Sequence, residues 1–228
     1  MLLPPTPPAL PPLKEFISFE SGNRELESWN MLYSQRAEDA NVVTNLWDGL
    51  LSFDCYGKVV PAIASSWEHN EDATVWTFHL RDDVDWVDMN GEVQDHLTSK
   101  DFLVGFEWVL NAKKNQAANT SMPSTTVVGA ADYYDKTYAM DDAAAAALTC
   151  DDMLAAGVGI DAPDDYTVVF TCLNPCPYFD TVASYVCCYH RGFSQAPRRS
   201  ATGPFRIWYS AIMRRTTLCC ARQRHRKK

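Results

Sequence analysis

The sequence lacks the motifs that would place it in several enzyme and membrane classes. Its 228 residues contain no GxGxxG, GxxxxGK[ST] or GxSxG pattern, so nothing indicates a dinucleotide-binding enzyme, a P-loop nucleoside triphosphatase or an α/β-hydrolase. No apolar run reaches the roughly 18 residues that a membrane-spanning helix requires. No basic region followed by an apolar one marks a secretory signal peptide, so we expect any export signal to be missing from this sequence.

Acidic residues are absent from the last part of the chain. Residues 190–228 contain 11 of the 20 Lys and Arg residues and none of the 29 acids. The segment also shows no sustained helix or strand period. We expect it to be a basic tail that is disordered or not native, such as the product of a reading-frame shift near residue 189. The alternative is a genuine basic arm that binds nucleic acid.

The chain as a whole has the composition of a folded globular protein. Apolar residues make up 46% of the chain and aromatic residues 12%, enough for one large domain or two small ones with a substantial core. The first 12 residues include six prolines, which favour an extended segment, and we expect residues 1–15 to be an unstructured leader. Residues 16–189 then form the folded part, with mixed α/β architecture and several antiparallel pairs.

Short strands are predicted from apolar alternation and turn residues. Residues 74–80 alternate cleanly, with Trp76, Phe78 and Leu80 on one face, which is typical of a half-buried antiparallel strand. We expect its hairpin partner to be the segment 84–91, which ends at an Asn-Gly turn. The other predicted strands cover residues 16–19, 50–53, 59–60, 158–161 and 166–172, the last two joined by a turn at 162–165.

Helical spacing predicts a long helix after residue 98. Thr98 is a candidate N-cap with Asp101 three residues on, and Lys113 and Lys114 follow the helix at the negative end of its dipole. The alanine-rich run 141–148 is a second strong helix former, begun by two acids. The apolar stripe of the long helix consists of Phe102, Leu103, Phe106, Val109 and Leu110, and shorter helices are predicted at 40–47 and 178–189.

An acidic cluster of Asp82, Asp83, Asp85 and Asp88 raises the question of a metal or catalytic site. A calcium loop placed over it lacks the acid at its first position and the glutamate at its twelfth. Aspartate is also favoured in turns for backbone reasons, so we interpret the cluster as the solvated rim of a hairpin, tied together by Arg81. A metal-dependent hydrolase that uses these acids is the enzymatic alternative.

The cysteines and histidines do not form a recognisable metal-binding pattern. Cys172 and Cys176 are spaced CxxxC and Cys187 and Cys188 are adjacent, whereas zinc sites favour paired CxxC or Cys/His knuckles. The five histidines contain no HExxH or HxxxH. We therefore expect buried thiols or a disulfide, and we predict no metal and no cofactor.

The order of motifs from residue 45 to 110 resembles the family 5 extracellular solute-binding proteins of bacterial ABC transporters, the oligopeptide- and dipeptide-binding type. The stretches NLWDGLL, PAIASSWE, TVWTFHLR, VDWVDMNG and LTSKDF carry the resemblance, in this order. APDDYTVVF at 162–170 and PYFDTVASY at 177–185 resemble the family's next segments, and the resemblance ends near residue 189.

This resemblance implies a fold and a role. The fold would be an α/β fold of the class II periplasmic-binding-protein type, with 16–189 as a partial first lobe that includes an inserted subdomain. The role would be that of a non-enzymatic, monomeric substrate-binding component of a peptide ABC importer, which captures extracytoplasmic oligopeptides for transmembrane transport. The implied partners are a peptide and the permease subunits, with no nucleic acid. The implied location is the periplasm or the outer face of the cell membrane, with the lipid anchor absent here.

The resemblance also implies where ligand contacts lie, in a loop after the first strand and in a stretch beyond the long helix. Main-chain pairing with an extended peptide would give sequence-tolerant affinity. We expect the chain alone to bind peptide poorly because the second lobe is missing. A receptor for a nickel chelate, haem or a sugar is the alternative within the same class. The implied ligand-binding residues are Trp29, Asn30, Met31, Tyr33, Thr120, Ser121 and Met122.

Overall fold

A computed structural model of the chain describes residues 48–54, 56–87, 93–114, 117, 121–184 and 209–210. The strand predicted at 16–19 and the helix predicted at 40–47 lie outside these residues. The strands are β1 (Leu51–Phe53), β2 (Val59–Pro61), β3 (Ala64–His69), β4 (Val75–Leu80), β5 (Asp85–Val87), β6 (Val93–His96), β7 (Ile160–Asp164), β8 (Thr167–Thr171) and β9 (Tyr209–Ser210). The helices are α1 (Ser99–Leu110), α2 (Ser121–Thr126), α3 (Ala130–Ala139), α4 (Asp142–Ala147), α5 (Cys150–Ala155) and α6 (Phe179–Ala183).

A four-stranded antiparallel sheet carries the main core, with its strands in the order β3-β4-β8-β7. β4 lies between β3 and β8 and places Trp76 opposite Phe170. Trp76, Phe78 and Leu80 are buried and the residues between them are half-buried, which confirms the predicted alternation. Because successive side chains of a strand point to opposite faces, β4 presents one continuous aromatic face to the core.

The hairpin predicted between residues 74–80 and 84–91 is wrong. β4 already has β3 on one side and β8 on the other, while β5 pairs with β6 in a separate sheet that places Asp85 opposite His96. β9 lies on the other side of β5. Alternation shows which face of a strand is buried but does not identify its neighbour, so the nearest apolar segment was the wrong partner. The predicted Asn90-Gly91 turn lies outside the described residues.

One of the two edge strands of the main sheet, β3, was not among the sequence predictions. Its residues Ser65, Ser66, Glu68 and His69 are exposed, and Trp67 is half-buried. A strand of this composition does not show apolar alternation. It forms because its backbone pairs with β4 along almost its full length, which a search for apolar periodicity does not detect.

The long helix α1 covers the aromatic face of the sheet. Every residue of its predicted apolar stripe is buried, and the rings of Phe106 and Phe170 lie 5.5 Å apart. At its start the backbone N–H of Thr98 donates to the Asp101 carboxylate at 2.9 Å. The predicted helix and its predicted first turn are therefore confirmed.

The alanine-rich region is divided into short helices. The helix predicted at 141–148 is α4, and the Asp141 side chain caps it by accepting from the Ala144 N–H at 2.9 Å. α5 begins after Thr149, whose backbone N–H donates to the Asp152 carboxylate at 2.8 Å. α4 and α5 thus each follow a polar cap residue, and the region packs as segments rather than as one rod.

The remaining predictions are mostly confirmed. β1 and β2 correspond to the strands predicted at 50–53 and 59–60. The hairpin of β7 and β8 is also present, with Ile160 opposite Phe170. The turn predicted at 162–165 is displaced, because β7 continues to Asp164 through an irregular register. α6 begins the helix predicted at 178–189, and residues beyond 184 lie outside the described part. Among the described residues no helix has the length and apolar content needed to cross a membrane.

Candidate functional site

Two of the seven residues implied to contact the ligand fall within the described part of the chain. Ser121 is the first residue of α2. The Met122 side chain is half-buried and packs against the main core. The first implied stretch lies outside the described residues, so the contact of both stretches with a ligand stays a prediction. The other five lie outside the described residues: Trp29, Asn30, Met31, Tyr33 and Thr120.

The end of β8 holds the chain that leaves α2. The backbone N–H of Val128 donates to the Thr171 carbonyl at 3.0 Å, and that of Leu173 donates to the Thr126 carbonyl at 2.8 Å. These two bonds tie both sides of a short backbone segment to a core strand. The sheet therefore fixes the position of the chain that directly follows the second implied contact stretch.

Gly129 permits a close backbone crossing immediately after this segment. Its φ of +68° lies in the left-handed region, and a Cβ atom added there would lie 2.5 Å from the Gly157 carbonyl oxygen. Gly157 also has a positive φ, +85°, but a Cβ atom at Gly157 would meet nothing within 4 Å. The two glycines thus share a backbone conformation and differ in available space.

Substitution of these two glycines separates the effects of backbone strain and crowding. We expect Gly129→Ala to lower the free energy of unfolding by more than about 2 kcal/mol, because strain and a clash with backbone act together. Gly157→Ala should cost about 1 kcal/mol, since only strain applies. Urea unfolding followed by tryptophan fluorescence measures both. Equal losses for the two variants would contradict the close crossing.

Two members of the predicted acidic cluster, Asp83 and Asp85, have basic partners. Arg81 Nη2 lies 2.7 Å from Asp83 Oδ1, which confirms Arg81 as a tie for this aspartate. Asp85 Oδ1 lies 2.8 Å from His96 Nδ1. The other ring nitrogen of His96, Nε2, lies 3.3 Å from the Tyr166 hydroxyl oxygen. The cluster therefore links the β5–β6 sheet to the β7–β8 turn, and all of these pairs are partly exposed, where ion pairs contribute little.

The metal hypothesis gains no support from this arrangement. Within the part of the chain that the structure describes, no group of three or more His, Cys, Asp or Glu side chains is placed to hold a metal ion. Asp88, the last member of the predicted acidic cluster, lies outside that part.

A buried ion pair joins α1 to the alanine-rich region. Lys114 Nζ lies 3.1 Å from Glu107 Oε2, and the two side chains are 17% and 4% exposed. Lys114 also donates to the Leu148 carbonyl at 2.9 Å. Asn111 Nδ2 donates to Glu107 Oε1 and to the Ala145 carbonyl, both at 2.9 Å. Lys114 therefore binds a carboxylate and a distant carbonyl, contacts that its interpretation as a cation at the helix dipole did not include.

Sequence reasoning missed this network, which contains the most buried carboxylate–lysine pair of the described residues. The spacing of Glu107, Asn111 and Lys114 by four and three residues places them on one side of the helix end, and this is a usable signal. Their backbone partners, however, are separated from them by 34 residues in the chain. A pattern in the local sequence does not show such partners.

One thiol group, of Cys150, and one hydroxyl group, of Tyr133, lie next to the network and stay protonated. Burial, and after it the charge of Glu107, raise the pKa of Cys150 to about 11. The same two causes raise the pKa of Tyr133 well above its usual value. A thiol with a raised pKa is a poor nucleophile at neutral pH. The cluster of Glu107, Lys114, Cys150 and Tyr133 therefore has the properties of a structural network, not of an activated catalytic site.

A family model of known proteins matches most of the chain. The family model described as bacterial extracellular solute-binding proteins, family 5 Middle, matches residues 58–207. The match continues beyond residue 189, where the sequence resemblance was expected to end. The predicted nature of residues 190–228 stays a prediction.

Individual relatives are oligopeptide-binding proteins of bacteria. Oligopeptide-binding protein AliB of Streptococcus pneumoniae is 32% identical over 154 residues, which is 68% of this chain and 21% of AliB. The solved structure of Haemophilus influenzae OppA in complex with RPPGFSPFR has a TM-score of 0.53 and 28% identity, over 69% of this chain and 27% of that one. The Escherichia coli murein tripeptide binding protein MppA has a TM-score of 0.64 and 20% identity, over 81% and 32%.

The chain thus spans about a fifth to a third of the length of these proteins. The described residues form the mixed helices and antiparallel sheets of a partial oligopeptide-binding-protein fold. The family model covers more than half of the chain. The chain belongs to the family 5 bacterial extracellular solute-binding proteins.

Proposed function

We propose that this chain is part of the substrate-binding component of a bacterial peptide ABC importer. The observation that carries the proposal is the family match over residues 58–207, together with relatives whose names describe oligopeptide binding. The protein would capture extracytoplasmic oligopeptides and deliver them to permease subunits. Its work is binding and release, so no bond in the ligand is made or broken.

In this proposal the described residues belong to the first lobe of a two-lobed, class II fold and to the subdomain inserted in it. The lobes of such a receptor close around the ligand, and closure is favoured when the ligand binds the closed form more tightly. Residues 29–33 and 120–122 would face the cleft. The fixed backbone after α2, tied to Thr171 and Leu173, would keep the second stretch in a constant position.

The chain by itself is expected to bind peptide weakly, because it spans only about a fifth to a third of its relatives' length. Titration calorimetry of the purified chain with a mixed peptide pool measures this. We expect no heat of binding at micromolar peptide, which corresponds to a free energy of association weaker than about −8 kcal/mol. Micromolar binding would contradict the view that the cleft requires further residues.

A chimera tests the proposal from the opposite direction. Residues 48–184 would replace the corresponding segment of Haemophilus influenzae OppA, whose structure contains the peptide RPPGFSPFR. We expect the chimera to fold and to bind that peptide within about tenfold of the parent protein. A chimera that unfolds cooperatively but no longer retains the peptide would count against the proposal. Retention of a nickel chelate, haem or a sugar in place of peptide would favour the alternative receptors.

A further inference from the structure

Two buried thiols flank the turn that follows β8. Cys172 and Cys176 are each 4% exposed and belong to the main core. The N–H of Cys172 donates to the Thr74 carbonyl at 2.7 Å, and the N–H of Cys176 donates to the Ala73 carbonyl at 2.9 Å. Ala73 and Thr74 are consecutive, so their Cα atoms lie about 3.8 Å apart. The two hydrogen bonds therefore hold both ends of the turn against the same two consecutive residues.

We propose that Cys172 and Cys176 form a disulfide bond when the protein is in an oxidising compartment, an inference that takes its compartment from the proposed extracytoplasmic function. A disulfide requires Cα atoms within roughly 7 Å and side chains that face each other. Both cysteines are anchored to adjacent carbonyls and both side chains enter the same core. Disulfides persist outside the cytoplasm, where thiols are not kept reduced.

The pKa of the Cys172 thiol also depends on Cys176. Burial, and after it the charge of Cys176, raise the pKa of Cys172 to about 11. Cys150 differs, because its pKa responds to Glu107 and Lys114 and not to either of these thiols. Cys150 therefore provides a matched control that has a similar pKa but lies at another site.

The oxidant in this reaction is another disulfide, for which oxidised glutathione serves in the test. The Cys176 thiolate attacks one sulfur of the oxidant, forms a mixed disulfide and releases one thiolate. The Cys172 thiolate then attacks the Cys176 sulfur, forms the new S–S bond and releases the second thiolate. Two electrons pass from the two cysteines to the oxidant, and the two cysteine protons end on the released thiols.

The Cys176 side chain contacts an exposed tyrosine, so we assign Cys176 as the attacking thiol. The Tyr178 side chain is 63% exposed, and its hydrogen bond with Cys176 raises the Tyr178 pKa. The Cys176 sulfur therefore lies under a surface side chain, whereas Cys172 continues a core strand. Because the raised pKa of Cys172 leaves little thiolate at neutral pH, we expect the bond to form faster while the chain folds than in the native protein.

Peptide mapping of the full chain tests the bond directly. Cleavage before aspartate releases Asp165–Phe179, which contains Cys172 and Cys176 and no other cysteine. After refolding with oxidised glutathione and alkylation in denaturant, we expect this peptide to be unalkylated and lighter by two hydrogen atoms, and to take two alkyl groups once reduced. Two alkyl groups without reduction would overturn the proposal. A crosslink from this peptide to another cysteine would overturn it equally.

A second measurement uses stability, so that the outcome does not depend on peptide binding. We expect the oxidised chain to melt about 4–8 °C above the reduced chain, because the bond restricts the unfolded state. Cys150→Ala should keep this difference, while Cys172→Ala and Cys176→Ala should each abolish it. A difference that survives in Cys176→Ala would contradict the assignment. Failure of the peptide-binding experiments would leave this result unchanged.

Discussion

Replacing Lys114 with methionine is expected to lower the free energy of unfolding by about 3 kcal/mol. The substitution removes the charge that lies 3.1 Å from Glu107 Oε2 and leaves a carboxylate that is 4% exposed. A buried charge that loses its partner costs more than the pair contributed, since its desolvation is no longer offset. The Leu148 carbonyl loses its donor as well. Urea unfolding of the full chain gives the value.

The neighbouring lysine is the matched control. Lys113 Nζ lies 3.9 Å from an exposed Asp142 carboxylate and 5.5 Å from the centre of the Tyr138 ring. Contacts of this kind at the surface are worth about 0.5–1 kcal/mol, so Lys113→Met should cost no more than that. Adding Glu107→Gln to Lys114→Met should recover most of the lost stability, because the buried charge is then gone. Equal effects at positions 113 and 114 would refute the buried network.

Replacing Phe78 with alanine is expected to destabilise the protein by about 4 kcal/mol, through lost apolar burial and a cavity. Phe78 is fully buried. Its ring lies 5.9 Å from that of Phe170, edge to face, and 6.2 Å from that of Phe179. The side chain thus joins β4, β8 and α6, and its removal leaves space that three elements would have to close together. Thermal and urea unfolding measure the loss.

The adjacent residue tests whether the effect belongs to one face of the strand. His79 points to the other side of β4, its side chain is 46% exposed, and its nearest carboxylate, Glu68, is 3.7 Å away. His79→Ala should change the stability by no more than about 0.5 kcal/mol. A loss at His79 as large as that at Phe78 would mean that both faces of β4 are packed, contrary to the burial pattern.

Local patterns in the sequence predicted elements well but predicted neighbours poorly. Residues 74–80 and the helix after Thr98 were predicted correctly, because a strand's alternation and a helix's cap and stripe are properties of consecutive residues. The partner of β4 was wrong, since β8 comes about 90 positions later in the chain. β3 was missed because its exposed polar residues are ordered by pairing and not by apolar burial.

The same division applies to the candidate site. The tie between Arg81 and Asp83 was predicted because the two residues lie two positions apart. The network of Glu107 and Lys114 was not predicted, because it is completed by carbonyls of a different helix region. The contacts at 29–33 and 120–122 came from the resemblance alone. A test of these contacts requires a protein with a complete ligand cleft, because the cleft forms between parts of a receptor that are far apart in sequence.

The sheet order also constrains how the protein is made. β4 leaves the ribosome long before β8, because α1 to α5 and β7 are synthesised between them. Until β8 emerges, the edge of β4 that pairs with it is open, and Phe78 lacks its contact with Phe170. Pairing between distant segments forms late, and nascent chains with uncovered apolar surface are prone to aggregation. A stalled chain that ends before residue 167 should therefore be a substrate for chaperones, whereas one extended past residue 184 should not.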